Sequence, residues 1–212
     1  MNQMRSADAT TIFRSGLALL IAYMILARFS VAAVVILMAI MFALDGADGY
    51  MAVREESRGK VSLTTYLMAA VGNKDAKKQV AFFKGKISKS SPHGPRMDIA
   101  GDRIVEYVFW ILFTYLRVLP LFVVIVVVIR HSFVDAIMGS KGTSSKMKSR
   151  FSKVLFASNA SRAWSAINKF LAFAFLALYY ISGFPLWIGD VFTGVLVAYI
   201  LIRGAAEISE NL

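Results

Sequence analysis

The sequence predicts an all-α polytopic membrane protein. Of its 212 residues, 58% are hydrophobic and only 17% are charged. The apolar residues gather in long runs, and the charged residues gather between these runs. A soluble domain of this length would need more polar residues to cover its core. The segregation therefore favours a protein whose apolar segments cross a membrane as helices, because a helix pairs its own backbone polar groups.

The first apolar run, residues 12–44, is too long for a single membrane span. As one helix it would rise about 50 Å, whereas the hydrocarbon core of a bilayer is about 30 Å thick. Arg28 at the bilayer centre would cost roughly 2.5 to 3.5 kcal/mol, so an interfacial position is favoured. The run therefore predicts two spans, 12–27 and 30–52, joined by a tight turn at Arg28 and Ser30.

Two further hairpins are predicted in the second half of the chain. The apolar segments 104–116 and 118–129 flank Arg117 and predict the third and fourth spans. The valine-rich part of 118–129 would also suit a buried strand, but neighbouring runs of similar hydrophobicity favour a helix. The fifth and sixth spans are predicted at 163–181 and 185–202, joined by an uncharged turn.

The distribution of basic residues predicts the orientation of these six spans. An even number of spans places both termini on one side, together with two long basic segments, 54–96 and 130–162. The segment 54–96 alone holds ten of the 24 Lys and Arg residues. The positive-inside rule therefore places the termini and the basic segments in the cytoplasm, with the protein in the cell (inner) membrane. Because these residues flank spans and no nucleic-acid motif accompanies them, no nucleic-acid partner is predicted.

The segment 55–93 is interpreted as a basic cytoplasmic insertion within a single domain, residues 1–212. Two stretches in it, 61–71 and 80–87, mix apolar residues with flanking lysines. This pattern suits short helices in the headgroup region, and a solvated basic loop explains it equally well. The entropy of closing a loop grows only logarithmically with its length, so the insertion can leave the flanking helix ends adjacent. We expect it to lie outside the functional site.

Four aspartates form the strongest candidate site. Asp45 and Asp48 lie three residues apart at the end of the second span, and Asp98 and Asp102 lie four apart at the start of the third. On a helix each pair shares one face. Bringing the two faces together would be costly, because like charges repel and lose hydration, unless cations compensate. Carboxylate oxygens suit Mg²⁺ or Mn²⁺, and two such ions could hold a diphosphate.

The segments 45–52 (DGADGYMA) and 94–102 (GPRMDIAGD) together resemble the signature of the CDP-alcohol phosphotransferase family. Seven of its eight fixed positions are present in order: the four aspartates, Gly49, Ala52 and Gly94. The eighth, an arginine after the alanine, is Val53 here, and the nearest arginine is Arg54. The family's short gap before the second glycine is filled by the insertion. The TIFR segment, residues 11–14, also resembles the start of the family's first span.

The resemblance implies a phospholipid-synthesis enzyme. Such an enzyme transfers a phosphatidyl group from a CDP-linked lipid, such as CDP-diacylglycerol, to a polar alcohol and releases CMP. The implied metal ligands, for two Mg²⁺ or Mn²⁺ ions, are Asp45, Asp48, Asp98 and Asp102. The implied general base is Asp102. The implied contacts to the CDP group are Gly49, Ala52, Arg54 and Gly94. The resemblance also implies a homodimer.

The acceptor side of the reaction is less defined in the sequence. Arg130, Lys146 and Arg150 would suit the phosphate of an acceptor such as glycerol 3-phosphate or inositol phosphate, although attraction to anionic lipid explains the same residues. Glu106 is expected to pair with Arg103 rather than to bind a metal. Two other functions fit the acids: a divalent-cation transporter, and a membrane scaffold without catalytic activity.

Overall fold

The computed structural model of the chain describes residues 6–90, 94–141 and 159–211. These residues are helical apart from short turns, and no strand occurs among them. The helices are α1 (Ser6–Leu26), α2 (Val31–Glu56), α3 (Leu63–Val71), α4 (Lys74–Ser90), α5 (Gly94–Tyr115), α6 (Leu121–Lys141), α7 (Asn159–Ser182) and α8 (Leu186–Asn211). The all-α prediction is confirmed for this part of the chain. The valine-rich stretch forms the first half of α6, so its interpretation as a helix is also confirmed.

Four helices in the described part of the chain are long and apolar enough to cross a membrane. They are Ala9–Leu26, Val31–Glu56, Ala163–Ser182 and Leu186–Ser209. Only 18% of the apolar stretch of α2 is buried within the molecule. Large apolar side chains such as Ile36 and Ile40 are instead exposed along this helix. So much exposed apolar surface suits contact with lipid rather than with water, which supports the predicted membrane character.

The three predicted hairpin turns all separate helices in the structure. Arg28, Arg117 and Gly183 adopt left-handed backbone conformations, with φ of 49°, 57° and 72°. A residue of this conformation commonly ends a helix, because it turns the next N–H back to a carbonyl that the helix leaves without a partner. At the first turn, the N–H of Phe29 donates to the carbonyl of Met24 at 2.8 Å. The predicted positions of the turns are therefore confirmed.

The chain divides into two compact units. The first comprises the described residues of Met1–Ile21 and Ala39–Tyr107, and the second those of Ala22–Met38 and Val108–Leu212. Helices α1, α2 and α5 each contribute to both units. Both halves of the acidic motif belong to the first unit.

In the first unit, the insertion forms a pair of short helices, α3 and α4, that pack against each other. The Ser62 hydroxyl caps α3 by accepting the Thr65 N–H at 3.1 Å, and Gly72 ends this helix with φ of 104°. The Asn73 side chain then begins α4 by accepting the Ala76 N–H at 3.1 Å. Side-chain oxygens at these positions satisfy N–H groups that a helix start leaves without partners. The helical interpretation of the insertion is therefore confirmed, and a solvated loop is wrong for α3 and α4.

The insertion is built on the end of α2. Its buried cluster consists of Val53, Val61, Ala69, Ala76 and Val80. Val53 is the contribution of α2 to this cluster. The last turn of α2 and the helix pair therefore share one small core.

In the second unit, α8 packs against both α6 and α7. Phe173 of α7 lies in the core, with its ring 5.1 Å from the rings of Phe109 and of Trp110 on α5. Gly189 of α8 lies against Leu176 of α7, where a Cβ would be 2.9 Å from the leucine Cδ2. A small residue at this point lets the two helices approach closely, as is typical of helices packed in membranes.

Within the second unit, a cation–π contact joins the first turn to a residue next to the third turn. The Arg28 guanidinium lies over the Tyr180 ring, 4.9 Å from its centroid. Tyr180 is in the last turn of α7, next to the turn at Gly183. The first and third turns therefore lie at the same end of this unit, as two turns on one side of a membrane would.

Candidate functional site

Both halves of the acidic motif lie within helices. Residues 45–52 occupy the second half of α2, and residues 94–102 occupy the first half of α5. The three- and four-residue spacings of the aspartates therefore place each pair on one helix face. The side chains of Asp48 and Asp98 lie outside the described part of the structure.

A buried arginine joins the two halves of the motif. Arg14 of α1 is only 3% exposed. Its Nη1 lies 2.7 Å from Asp45 Oδ1 on α2, and its Nη2 donates to Asp102 Oδ1 on α5 at 3.0 Å. One guanidinium therefore brings the first and the last aspartate of the motif to the same place.

The three charged groups of this bridge differ in exposure. The Asp45 and Asp102 side chains are 35% and 34% exposed, whereas Arg14 is almost fully buried. A buried arginine requires anionic partners, because an uncompensated buried charge costs several kcal/mol. The two bonds to Arg14 use Oδ1 of each carboxylate. The acids are therefore fixed from the buried side, while part of each remains accessible from outside.

Close packing of α1 against the motif helices positions Arg14. The Thr10 hydroxyl donates to the sulfur of Met51 on α2 at 3.8 Å. Gly101 of α5 lies against Thr11, so that a Cβ on this glycine would overlap the threonine Cγ2. Arg14 follows one helical turn after these two contacts. Thus α1 is the third wall of the site.

Arg14 and Gly101 are two residues of the site to which the sequence pattern assigned no role. For Arg14 a signal was present, because an ionisable residue inside an apolar run is a candidate functional residue by default. Its position in the TIFR segment was a second signal. For Gly101 no signal was present, because its importance comes from the approach of α1, which only the tertiary structure shows.

The motif glycine Gly49 contacts the insertion. A Cβ placed on Gly49 would lie 2.7 Å from the hydroxyl oxygen of Tyr66 on α3. The Tyr66 ring packs edge-to-face with that of Tyr50 at 5.6 Å, and the Lys84 ammonium lies 5.5 Å from the Tyr66 centroid. The insertion therefore contacts the acidic motif at Gly49, because α3 folds back onto the end of α2. Its expected place outside the functional site stays a prediction.

The two differences from the signature, Val53 and the insertion, belong to the same structural feature. Val53, which stands where the family has arginine, is 1% exposed and belongs to the buried cluster of the insertion. A charged side chain at this position would be buried among apolar residues. Arg54 is exposed, since one residue along a helix turns a side chain by about 100°. Its predicted contact with a CDP group stays a prediction.

The other predicted site residues are distributed as follows. Ala52 is half-buried on α2, and Gly94 is the first residue of α5. Lys146 and Arg150 lie outside the described residues. Among the side chains that the structure describes, no group of three His, Asp or Glu residues could hold a metal ion. That set omits Asp48 and Asp98. The acids that are described, Asp45 and Asp102, offer the oxygen ligands that Mg²⁺ or Mn²⁺ would need.

The buried Glu106 pairs with its neighbour on α5. It is 2% exposed, and its Oε1 lies 3.3 Å from Nη1 of Arg103. The expected ion pair is confirmed. Glu106, which lies one helical turn beyond Asp102, therefore has a structural partner in Arg103.

Arg130 of α6 forms a buried ion pair within the second unit. Its Nη2 lies 2.9 Å from Oε2 of Glu207 on α8, and its Nε donates to the Ile200 carbonyl at 3.0 Å. Gly204 makes room for this side chain, because a Cβ there would lie 2.6 Å from the arginine Nε. The contacts give Arg130 a role in holding α6 to α8. Its predicted contact with an acceptor stays a prediction.

Comparison with known proteins identifies no family for this chain. No protein-family model matches the chain, and searches of the curated proteins and of the solved structures find no match. The family resemblance therefore rests on the residues of the motif and on their arrangement.

Proposed function

We propose that this chain is a membrane enzyme of the CDP-alcohol phosphotransferase family. It transfers a phosphatidyl group from a CDP-linked lipid, such as CDP-diacylglycerol, to a polar alcohol and releases CMP. The observation that carries the proposal is the Arg14 bridge between Asp45 and Asp102. If the match to the signature were fortuitous, there would be no reason for Asp45 and Asp102 to bind the same buried arginine.

The proposed topology has six spans, formed by α1, α2, α5, α6, α7 and α8. Four of these helices contain the apolar stretches described above. Helices α5 and α6 have 22 and 21 residues, so each rises about 30 Å, which matches the thickness of the hydrocarbon core. The acids of α5 lie in its first half, towards the basic insertion. The site therefore faces the cytoplasm if the positive-inside rule holds.

Two Mg²⁺ or Mn²⁺ ions are proposed at the motif, with Asp45, Asp48, Asp98 and Asp102 as ligands. When bound, such ions neutralise the diphosphate and the charge that develops on the departing CMP. Arg14 acts from the buried side, where its bonds to Asp45 and Asp102 fix the orientation of the two carboxylates. It is a positioning residue, since the carboxylates lie between it and the exposed side of the site.

Asp102 is the proposed general base for the acceptor hydroxyl. Its carboxylate would take the proton as the alcohol oxygen attacks the phosphorus of the donor. Correct placement of the two substrates and charge neutralisation supply most of the proposed acceleration.

The proposed acceptor is a phosphorylated polar alcohol, such as glycerol 3-phosphate or inositol phosphate. The basic residues Lys146 and Arg150, in the second basic segment, favour an anionic acceptor. Arg130 is already paired with Glu207, so a part in acceptor binding would require that pair to open. A homodimer is proposed from the family resemblance.

CMP release by the purified protein tests this function. The protein in lipid nanodiscs is incubated with radiolabelled CDP-diacylglycerol, Mg²⁺ and a panel of acceptor alcohols. We expect CMP release with one acceptor class, and its loss in Asp45→Asn and Asp98→Asn. The matched control is Asp190→Asn, which changes an exposed aspartate of α8. Unchanged release in Asp45→Asn would contradict the proposal.

Nucleotide binding separates this function from the alternatives. CMP in the presence of Mg²⁺ should raise the unfolding temperature of the enzyme, because a ligand stabilises the state that binds it. A cation transporter would instead move Mg²⁺ into proteoliposomes without releasing CMP. A scaffold would show neither behaviour.

A further inference from the structure

Helix α3 carries an apolar stripe on the side that faces away from its own core. Leu63, Leu67 and Val71 recur every four residues, so they lie along one face of the helix. They are 52%, 54% and 90% exposed. Ala69, on the opposite side, is buried in the cluster shared with Val53. The stripe is therefore a second apolar surface that the packing of the insertion leaves uncovered.

The segment that carries this stripe is strongly positive. Residues 60–90 contain seven lysines and one acid, Asp75. Lys74, Lys77, Lys78, Lys84 and Lys86 of α4 are all exposed. The Lys86 ammonium lies 4.9 Å from the ring centroid of the exposed Phe82. An apolar helix face beside lysines and aromatic rings has the composition of a surface that lies on anionic lipid.

The position of the insertion in the chain brings this surface to a bilayer. Val53, in the last turn of α2, packs in the core of the helix pair. Helix α2 as a whole is long and apolar enough to cross a membrane. The insertion therefore begins where such a span leaves the hydrocarbon core. With nine residues, α3 is too short to cross the bilayer itself, so any contact that it makes with lipid is at the surface.

We propose that the stripe of α3 lies in the boundary between headgroups and acyl chains of the protein's own membrane. Leu63, Leu67 and Val71 enter the acyl region, and the lysines of α4 contact anionic headgroups. Basic residues near such a surface are attracted by its negative potential. The occupant of the stripe is lipid rather than a second copy of the chain. This inference is independent of the enzymatic proposal and requires only that α2 spans a membrane.

Depth-dependent fluorescence quenching tests the position of α3. The chain has no cysteine, so a single cysteine can be labelled without removing native ones. Val71→Cys carries an environment-sensitive dye, and the matched control is Gln79→Cys, an exposed polar position on α4. Both proteins are reconstituted in vesicles of phosphatidylcholine and phosphatidylglycerol that contain lipids spin-labelled on the acyl chain. Because Val71 is almost fully exposed, the substitution should leave the fold intact.

We expect the lipid quencher to reduce the fluorescence at position 71 severalfold more than at position 79. Iodide in the water should show the reverse preference. Replacing phosphatidylglycerol by phosphatidylcholine should weaken lipid quenching at position 71, because the lysines lose their anionic partners. Equal quenching at both positions would overturn the inference. Self-quenching between dyes at position 71 that increases with the protein-to-lipid ratio would also overturn it, because this would indicate that a second copy of the chain lies on the stripe.

Discussion

Arg14 and Arg130 both lie on apolar helices and both hold acids, but their partners differ in exposure. Arg14 holds Asp45 and Asp102, whose side chains are 35% and 34% exposed. Arg130 holds Glu207, whose side chain is 8% exposed, and also donates to a backbone carbonyl. The first arrangement leaves carboxylate surface accessible from outside. The second encloses both charges.

The comparison shows how a functional cluster of charges differs from a structural one. A fully enclosed ion pair connects helices, but a ligand can reach it only if the helices separate. A buried cation beneath partly exposed acids instead fixes ligands that remain available. Both clusters are built from an arginine and carboxylates, so the exposure of the carboxylates is the quantity that distinguishes them. Four predictions test this distinction.

The largest effect is expected for Arg14→Met. Without the arginine, Asp45 and Asp102 lose their common partner and repel each other, so they move from their positions. CMP release should fall by about 100-fold, the usual result of a misplacement of about 1 Å at a reacting centre. A titration with Mg²⁺ should show a changed apparent affinity, which a purely structural role would not produce. Arg14→Lys should recover little, because a lysine has one terminal nitrogen where the arginine uses two separate nitrogens to reach the two carboxylates.

The control for this variant is Arg203→Met, in a partly exposed arginine of α8. Its CMP release should match that of the unmodified protein. If Arg14→Met keeps normal activity and Mg²⁺ dependence, the Arg14 cluster is structural and the comparison fails.

Arg130→Met should act on stability instead. Glu207 would lose its ion pair of 2.9 Å with Arg130, so unfolding should become easier by about 2 kcal/mol, as for other lost bonds to charged groups. Replacing both partners, Arg130→Met with Glu207→Met, should restore most of this loss, since an apolar pair needs no compensation. Thermal unfolding measures the effect, and CMP release per folded molecule should stay constant. A raised KM for the acceptor in the double variant would instead show that Arg130 contacts substrate.

Gly101→Ala tests whether α1 must approach α5 closely to place Arg14. The added Cβ would overlap Cγ2 of Thr11, and overpacking of this kind costs about 1 to 2 kcal/mol. We expect a lower unfolding temperature and reduced CMP release. Adding Thr11→Ser removes the overlapping methyl group and should restore both. Failure of this rescue would mean that the contact does not position the site.

The smallest effect is expected for Gly49→Ala. Its Cβ would lie 2.7 Å from the Tyr66 hydroxyl oxygen, which is at the end of a side chain that can shift. The cost in stability should therefore be below about 1 kcal/mol. Adding Tyr66→Phe removes the oxygen and should cancel this cost, as thermal unfolding would show. A KM for CDP-diacylglycerol that stays raised in the double variant would indicate that the glycine itself faces the nucleotide.

The sequence alone was sufficient for the features that depend on local chemistry. Runs of apolar residues interrupted by Arg28, Arg117 and Gly183 predicted the helices and their turns. Spacings of three and four residues predicted that Asp45 with Asp48, and Asp98 with Asp102, share helix faces. Each inference needs only the geometry of one helix and the cost of placing charge in an apolar medium.

Only the tertiary structure decided which of these groups meet. Arg14 bonds to acids that lie 31 and 88 residues further along the chain, because α1 packs against α2 and α5 in one particular register. The same is true of Val53, which is buried because α3 and α4 fold back onto α2. Helical periodicity specifies which face of each helix is apolar, but many registers would bury such faces equally well. Close contacts at single residues, such as Gly101 with Thr11, select one of them.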